Sequence, residues 1–191
     1  MKNIAIFASG SGTNAENIIE YFSNKSIAGV KLVLSNKRDS FVLERAARLN
    51  VPSVIFERND FYNSEIVIEH LRSYNIDFIV LAGFLWLVPD NILKKYRGRI
   101  VNIHPALLPS YGGKGMYGDN VHKAVIASGD RESGISIHYV NESYDQGDII
   151  FQARCTIDEN DTCETLASKI HSLEYRYYPA VIEDLLAKLD D

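Results

Sequence analysis

The first hundred residues alternate short apolar runs with longer stretches in which apolar residues recur every three or four positions. A short apolar run is typical of a strand buried on both faces, and the longer recurrence is typical of an amphipathic helix. The expected strands are residues 4–8, 30–35, 54–56, 78–82 and 100–103, and the expected helices between them are residues 15–22, 41–50 and 61–74. This alternation predicts an α/β fold that is Rossmann-like, doubly wound and built on a mostly parallel sheet.

The pattern changes after residue 104. Residues 105–118 contain two prolines and four glycines, which predicts a long loop. Residues 121–128 are then expected to form a helix. Residues 134–140 and 149–153 are expected to form two extended segments, joined by an acidic turn, that add antiparallel strands to the sheet in the C-terminal half. Residues 162–189 have a helical composition, although Pro179 is expected to break or kink that helix at about Tyr178.

The length of 191 residues fits one domain with a continuous core. Twenty Lys and Arg against 25 Asp and Glu give a net charge of −5, which disfavours nucleic acid as a partner. No apolar stretch approaches the ~20 residues needed to cross a bilayer, and the N-terminal run is too short for a signal peptide. We therefore expect a cytoplasmic protein with no membrane partner. Its two cysteines, Cys155 and Cys163, fit neither a zinc site nor a disulfide framework.

Residues 9–15 (SGSGTNA), the glycine loop, connect the first expected strand to the first expected helix. Backbone N–H groups and the positive end of a helix converge on an anion at such a junction, so we predict a phosphate site; the alternative is a tight turn that caps the helix. Gly10, Gly12 and Ala15 also satisfy a relaxed dinucleotide fingerprint. Residues 34–38, at the end of the second expected strand, include no acidic residue to bind ribose hydroxyls, but Arg38 suits a 2′-phosphate. An NADP-binding oxidoreductase and a nucleotide-sensing module therefore stay as alternatives.

Asn102 and His104 lie two residues apart at the end of the fifth expected strand, so they share one face of it. Pro105 ends the strand at its carboxyl edge, where ligands bind in open α/β sheets. An amide and an imidazole can both donate hydrogen bonds to a developing oxyanion, which suits acyl transfer. A buried structural pair is the alternative. Asp145 and Asp148 in the acidic turn are candidates for orienting His104 and raising its pKa, against the alternative of a solvated hairpin.

Five segments resemble the phosphoribosylglycinamide formyltransferases and occur in that family's order. They are residues 9–14 (SGSGTN), 35–37 (SNK), 81–84 (LAGF), 102–109 (NIHPALLP) and 144–147 (YDQG). The resemblance implies that a formyl group passes from 10-formyltetrahydrofolate, a cosubstrate, to the primary amine of glycinamide ribonucleotide in purine biosynthesis, without a metal. It implies a single domain, in which residues 1–104 form the phosphate-binding half. Residues 105–191 then form the half with the folate-binding and catalytic loops and the C-terminal helix.

The same resemblance assigns roles to individual residues of this sequence. It gives catalytic roles to Asn102, His104 and Asp145, in preference to Asp148. The residues it implies for the substrate are Gly12, Thr13 and Asn14 at the phosphate and Glu174 at the glycinamide end. Those it implies for the folate are Leu85, Trp86, Leu87, Val88 and Asn102.

Two departures from the family pattern and two rival acceptors stay open. Trp86 stands where a basic residue is common, and His171 stands where some relatives place a basic residue near the phosphate. Closure of residues 112–118 (Gly112 to Gly118) over the substrate is also undecided. A formyltransferase acting on methionyl-tRNA or on an amino sugar nucleotide would share the catalytic trio, but those enzymes usually carry further domains. We expect small-molecule partners only, and a monomer or weak homodimer.

Overall fold

The computed structural model describes residues 1–189; Asp190 and Asp191, which the one-domain prediction includes, lie outside the described residues. The strands are β1 (Lys2–Ala8), β2 (Ala28–Ser35), β3 (Ser53–Ile55), β4 (Phe78–Leu81), β5 (Ile100–His104), β6 (Glu132–Tyr139) and β7 (Ile149–Thr156). The helices are α1 (Thr13–Phe22), α2 (Phe41–Arg48), α3 (Arg58–Tyr62), α4 (Ile66–Ser73), α5 (Asp90–Lys95), α6 (Asp119–Ser128) and α7 (Cys163–Ala187). None of these helices combines the length and apolarity needed to cross a membrane.

One sheet of seven strands runs through the described residues in the order β3-β2-β1-β4-β5-β6-β7. The first five strands pair in parallel, whereas β6 pairs antiparallel with both β5 and β7. The doubly wound α/β prediction is confirmed, including the antiparallel strands of the C-terminal half. Because the chain passes outward from β1 to β3 and returns to β4 on the other side, a crevice opens at the carboxyl ends of β1 and β4. The division into halves at residue 104 stays a prediction.

Alternate residues of the central strands pack on opposite faces of the sheet. In β1, Ile4 and Ile6 join the apolar cluster formed with α1, α2, α6 and α7, while Ala5 and Phe7 join the cluster formed with α3, α4 and α5. All four side chains are at most 2% exposed. Burial on both faces holds the carboxyl ends of the strands in fixed positions, and the predicted site residues follow those ends.

The segment expected to form one helix over residues 61–74 forms two, so the single-helix prediction is wrong. α3 starts earlier because Glu57 and Asp60 form a capping box, in which the Glu57 N–H donates to Asp60 Oδ2 at 2.8 Å. The Ser64 hydroxyl accepts the Ile66 N–H at 3.2 Å, and α4 starts there as a separate element. α5 was not predicted, since its six residues are too few to establish a helical period.

α7 continues through Pro179, so a break at Tyr178 is wrong, while the alternative of a kink there stays a prediction. A proline lacks the N–H that would donate to the carbonyl four residues earlier, which here belongs to Tyr175. The side-chain amide of Asn17 on α1 donates to Tyr175 O at 3.0 Å and takes the place of the missing donor. Pro179 is itself buried, so its ring adds to the core.

Candidate active site

A cavity of about 610 Å³ lies at the carboxyl ends of β1, β4 and β5. The predicted site residues that line it are Gly12, Thr13, Asn14, Leu85, Asn102, His104, Asp145 and Glu174. A second cavity of about 50 Å³ shares Asn102 and Asp145 with the first, and its lining includes Trp86, Leu87 and Val88. Asp148 lines neither cavity and is exposed. The residues assigned from the family resemblance therefore all border one of two adjoining spaces.

The glycine loop leads directly into α1. Gly12 precedes the helix in a left-handed conformation, with φ 74°. A Cβ atom on Gly12 would lie 2.5 Å from Cβ of Val42 on α2, so only glycine fits at this point of the loop. The N–H groups of the first helical turn have no acceptor within the helix, and this end of α1 therefore favours an anion in the cavity.

Ser9 connects three strand ends. Its hydroxyl donates to Asn36 Oδ1 at 2.7 Å and accepts the Leu85 N–H at 3.2 Å, while its own N–H donates to Gly83 O at 3.0 Å. Ser9 follows β1, Asn36 follows β2, and the other two residues follow β4. Three of the five segments that carry the family resemblance therefore meet at one point of the fold.

Glu174 on α7 faces the start of α1. Its Oε2 accepts a hydrogen bond from Asn14 Nδ2 at 2.9 Å, and the residue is 6% exposed. Burial raises the pKa of Glu174 to about 7, against the opposing effect of the Asn14 amide. Asn14 Oδ1 and His122 Nδ1 are also buried, and neither has a hydrogen-bond partner in the described part of the chain. His171 lines the same cavity, so this wall offers a titratable carboxyl and several polar atoms to a ligand.

His104 ends β5 and is 3% exposed. Its Nε2 lies 2.8 Å from the carbonyl oxygen of Tyr111 and therefore donates, which leaves Nδ1 facing Asp145 Oδ2 at 3.5 Å. Burial lowers the pKa of His104 and outweighs the opposing effects of the Asp145 charge and the Tyr111 carbonyl. Asp145 therefore acts in the expected direction, but the expectation of a raised pKa for His104 is wrong because burial has the larger effect, and a lowered pKa favours the neutral ring near pH 7.

Asp145 lies in the turn between β6 and β7, in a left-handed conformation with φ 55°. Its Oδ2 accepts the Gly113 N–H at 2.9 Å, and its Oδ1 lies 3.5 Å from Asn102 Nδ2. Burial acts to raise the pKa of this carboxyl, but the neighbouring His138 ring, the His104 ring and the hydrogen bond from the Gly113 N–H together hold it below its usual value. Asp145 therefore stays ionised at neutral pH beside a neutral His104.

His138, which is not among the predicted site residues, belongs to the same cluster. It lies opposite Asn102 in the β5–β6 ladder. Its Nδ1 donates to Tyr139 O at 2.8 Å, so its Nε2 accepts a hydrogen bond from Asn102 Nδ2 at 3.1 Å. This bond sets the orientation of the Asn102 amide. The only signal in the sequence was that His138 follows Ser136 by two residues, which places both side chains on one face of β6. In the structure these two residues lie opposite Asn102 and His104.

The segment predicted to bind folate, residues 85–88, follows β4. The Trp86 and Tyr62 rings pack with their centroids 6.1 Å apart, and the Tyr62 hydroxyl donates to Leu87 O at 2.9 Å. The peptide groups of Trp86 and Val88 make no hydrogen bond within residues 1–189. Both residues line the smaller cavity, so their unpaired peptide groups lie beside a space that suits a ligand with donors and acceptors on its edge.

The long loop after β5 supplies a further part of the wall. Lys114, Met116 and Tyr117 line the larger cavity. Across residues 1–189, no three His, Cys, Asp or Glu side chains are grouped so as to hold a metal ion.

Comparison with known proteins gives consistent matches. Residues 2–182 match the protein family described as Formyl transferase. The chain is 39% identical over 191 residues to a Bacillus subtilis (strain 168) protein named phosphoribosylglycinamide formyltransferase, covering 97% of this chain and 95% of that one. It is 42% identical over 187 residues to the chloroplastic protein of that name from Arabidopsis thaliana, covering 95% of this chain but only 64% of the plant protein's length. The crystal structure of phosphoribosylglycinamide formyltransferase from Bacillus halodurans matches with a TM-score of 0.87 and 40% identity, over 99% of this chain and 97% of that one.

Proposed function

Because this chain belongs to the formyl transferase family, we propose that it transfers the formyl group of 10-formyltetrahydrofolate to the primary amine of N1-(5-phospho-D-ribosyl)glycinamide. The products are formylglycinamide ribonucleotide and tetrahydrofolate, and the step belongs to de novo purine biosynthesis. The observation that carries the proposal is that one cavity joins the anion-binding start of α1 to Asn102, His104 and Asp145. A phosphorylated amine and a formyl donor can react only where both features border the same space.

Each substrate has its own part of the two cavities. The ribonucleotide binds through its phosphate to Gly12, Thr13 and Asn14, and its glycinamide end lies toward Glu174. The folate pterin binds along Leu85, Trp86, Leu87 and Val88, with Asn102 at the formyl group. The unpaired peptide groups at two of these folate-binding positions support this assignment, since a pterin edge carries both donors and acceptors.

In the first step, the lone pair of the substrate amine attacks the formyl carbon, a C–N bond forms, and the carbonyl oxygen becomes an oxyanion. The Asn102 amide donates a hydrogen bond to this oxygen. His104 donates from Nδ1 once it is protonated, and the developing negative charge, together with ionised Asp145, favours that protonated form. The proton comes from the attacking nitrogen, which becomes acidic when its lone pair is used.

In the second step, the bond between the carbon and the folate nitrogen breaks, and that nitrogen takes up a proton. His104 holds the proton released by the attacking amine while the oxyanion exists. Asp145, directly or through a water molecule, relays it to the departing nitrogen. One proton therefore leaves the amine, one reaches the folate, and the enzyme returns to its starting state.

A coupled assay tests the proposal by following tetrahydrofolate release with synthetic glycinamide ribonucleotide, methionyl-tRNA or an amino sugar nucleotide as the acceptor. Turnover with the ribonucleotide is the expected result. Turnover with only one of the other acceptors would assign a different formyltransferase activity. NADPH titration addresses the oxidoreductase and nucleotide-sensing alternatives, since tight NADPH binding without folate binding would overturn the proposal.

We also infer that the protein acts in the cytoplasm on small molecules, as a monomer or weak homodimer. Cys155 and Cys163 are both free thiols, which suits a reducing compartment. The net charge of −5 gives no general attraction to nucleic acid. Analytical ultracentrifugation across a concentration series measures the oligomeric state.

A further inference from the structure

The glycine loop is held from outside the cavity by α2. The Arg45 Nε–H donates to Ser11 O at 2.8 Å, and the Val42 N–H donates to Gly10 O at 3.2 Å. Arg45 does not itself line the cavity. We propose that Arg45 is a positioning residue that holds the glycine loop in the shape that binds the ribonucleotide phosphate, an inference that rests on the proposed function.

The geometry of the peptide group explains how a contact on one side of the loop acts on the other. In a trans peptide, the C=O and N–H bonds point in opposite directions. The Gly10 carbonyl shares a peptide unit with the Ser11 N–H, and the Ser11 carbonyl shares one with the Gly12 N–H. Because α2 binds both carbonyls, both N–H groups point away from α2. Backbone N–H groups presented together beside a helix N-terminus are the usual ligands of a bound phosphate.

The loop has few restraints of its own that would hold these peptide units. The space where a Cβ of Gly10 would lie has no atom within 4 Å, and Ser11 is exposed. Peptide units next to glycine rotate at low cost, and a rotated Ser11–Gly12 unit would turn a carbonyl oxygen toward the phosphate. The hydrogen bond from the charged Arg45 guanidinium opposes that rotation.

Arg48 provides a matched control because it shares an ion-pair partner with Arg45. Glu16 lies in the first turn of α1, where an unpaired negative charge would repel a phosphate. Arg45 Nη1 binds one oxygen of this carboxylate and Arg48 Nη2 binds the other. Removing either arginine takes one positive charge from the same carboxylate, but only the loss of Arg45 frees the Ser11 carbonyl.

The test compares Arg45→Gln with Arg48→Gln in the full-length protein. Calorimetry measures the Kd of ribose 5-phosphate, and steady-state kinetics measures KM for the ribonucleotide and for 10-formyltetrahydrofolate. For Arg45→Gln we expect the ribose 5-phosphate Kd and the ribonucleotide KM to rise about tenfold, the loss of one charge-assisted hydrogen bond, with kcat and the folate KM unchanged. For Arg48→Gln we expect all four quantities to stay at the wild-type values.

Three outcomes would overturn the inference. Wild-type affinity for ribose 5-phosphate in Arg45→Gln would show that phosphate binding does not need the hydrogen bond from Arg45 to Ser11 O. Equal weakening in both variants would assign the effect to net charge. A parallel fall in kcat and rise in both KM values would indicate general damage to the fold.

Amide hydrogen exchange of Val42, whose N–H donates to Gly10 O at 3.2 Å, reports in the ligand-free protein on whether the loop keeps its position, and it needs no turnover. We expect faster exchange in Arg45→Gln than in Arg48→Gln, and equal rates would count against a positioning role for Arg45. If Arg45→Gln does not fold, Arg45→Lys keeps the charge without the Nε–H, and wild-type ribose 5-phosphate affinity in that variant would also overturn the inference. These measurements separate the two proposals, because an inactive wild-type protein that binds ribose 5-phosphate would refute formyl transfer but not the role of Arg45.

Discussion

Nε2 of His104 lies 2.8 Å from the carbonyl oxygen of Tyr111, and this contact decides which nitrogen of the imidazole can react. A carbonyl oxygen only accepts hydrogen bonds, so Nε2 carries the hydrogen in the neutral ring. Nδ1 is then the nitrogen that gains and loses a proton, and it faces Asp145 Oδ2 at 3.5 Å. A backbone group of the loop therefore selects the tautomer, and Asp145 lies beside the nitrogen that titrates.

Two substitutions of His104 separate hydrogen bonding from proton transfer. His104→Ala removes both, and we expect kcat to fall by roughly 10²–10³ with the folate affinity unchanged. In His104→Asn, the side-chain amide takes a position close to Nδ1 and can donate but cannot titrate. We expect its kcat to lie between those of the wild type and His104→Ala, and its pH profile to lack the ionisation of His104. Pre-steady-state formyl transfer measures both, and near-normal transfer by the alanine variant would refute the role assigned to the ring.

Asp145→Asn tests the charge of the turn through the pH dependence of stability. The pKa of Asp145 is held below its usual value of 3.8, so the ionised carboxyl stabilises the fold at pH values above the unfolded pKa. That stabilisation is lost as the pH falls through the lower, folded-state pKa. We expect Asp145→Asn to unfold at lower denaturant concentration than the wild type at pH 7, and the difference to shrink toward pH 3. A difference that stays constant with pH would point to packing rather than charge.

Glu174→Gln is expected to change stability in the opposite direction to Asp145→Asn, because burial raises the pKa of Glu174 to about 7. The wild type then bears the cost of a buried charge above pH 7, and this cost disappears below the unfolded pKa. We expect the variant to be more stable than the wild type by roughly 2–3 kcal/mol at pH 8 and equal to it below about pH 4.5. The same change removes the carboxylate that we propose binds the glycinamide end, so the ribonucleotide KM should rise. Urea unfolding across pH, together with kinetics, measures both effects, and unchanged values for both would contradict the assignment.

Gly147→Ala tests how closely the turn that carries Asp145 fits its neighbour. An added Cβ would lie 1.7 Å from Tyr139 O, so the turn cannot keep its position. We expect kcat to fall roughly 10²-fold, because a displacement of about 1 Å at a catalytic group has that effect. Gly29→Ala in β2 is the control, since its nearest atom would lie at 3.4 Å, in ordinary contact. Equal activity of the two variants would show that the turn adapts without moving the carboxylate.

Asn17→Ala tests the hydrogen bond that replaces the missing donor at Pro179. We expect a loss of about 1 kcal/mol of unfolding free energy, because Tyr175 O then has no donor from the protein. In a Pro179→Ala background the restored N–H can serve this carbonyl, so the same substitution should cost less. Denaturant unfolding of the wild type, the two single variants and the double variant gives the coupling energy between the two positions. Strictly additive effects would argue that the Asn17 amide does not replace the missing N–H of Pro179.

The strands and the doubly wound order could be predicted because local signals decide them. Buried strands are apolar runs, and the helices between them show a clear period. Pro179 was misjudged because the donor that compensates for it, Asn17, comes from a helix remote in sequence. His138 was missed because its neighbour, Asn102, is set by strand register. The pKa of His104 was predicted in the wrong direction because the extent of its burial follows from tertiary packing, which a motif does not show.

The hydrogen bonds of Ser9 restrict which substitutions this protein can accept during evolution. One hydroxyl contacts Asn36 beside the glycine loop and the Leu85 N–H at the start of the segment proposed to bind folate, so we expect a substitution there to weaken the binding of both proposed substrates at once. Selection acting on the preference for one substrate is therefore constrained at this position by the other. Sequence variation that retunes a single ligand is expected to accumulate farther out along each loop, beyond the reach of this shared contact.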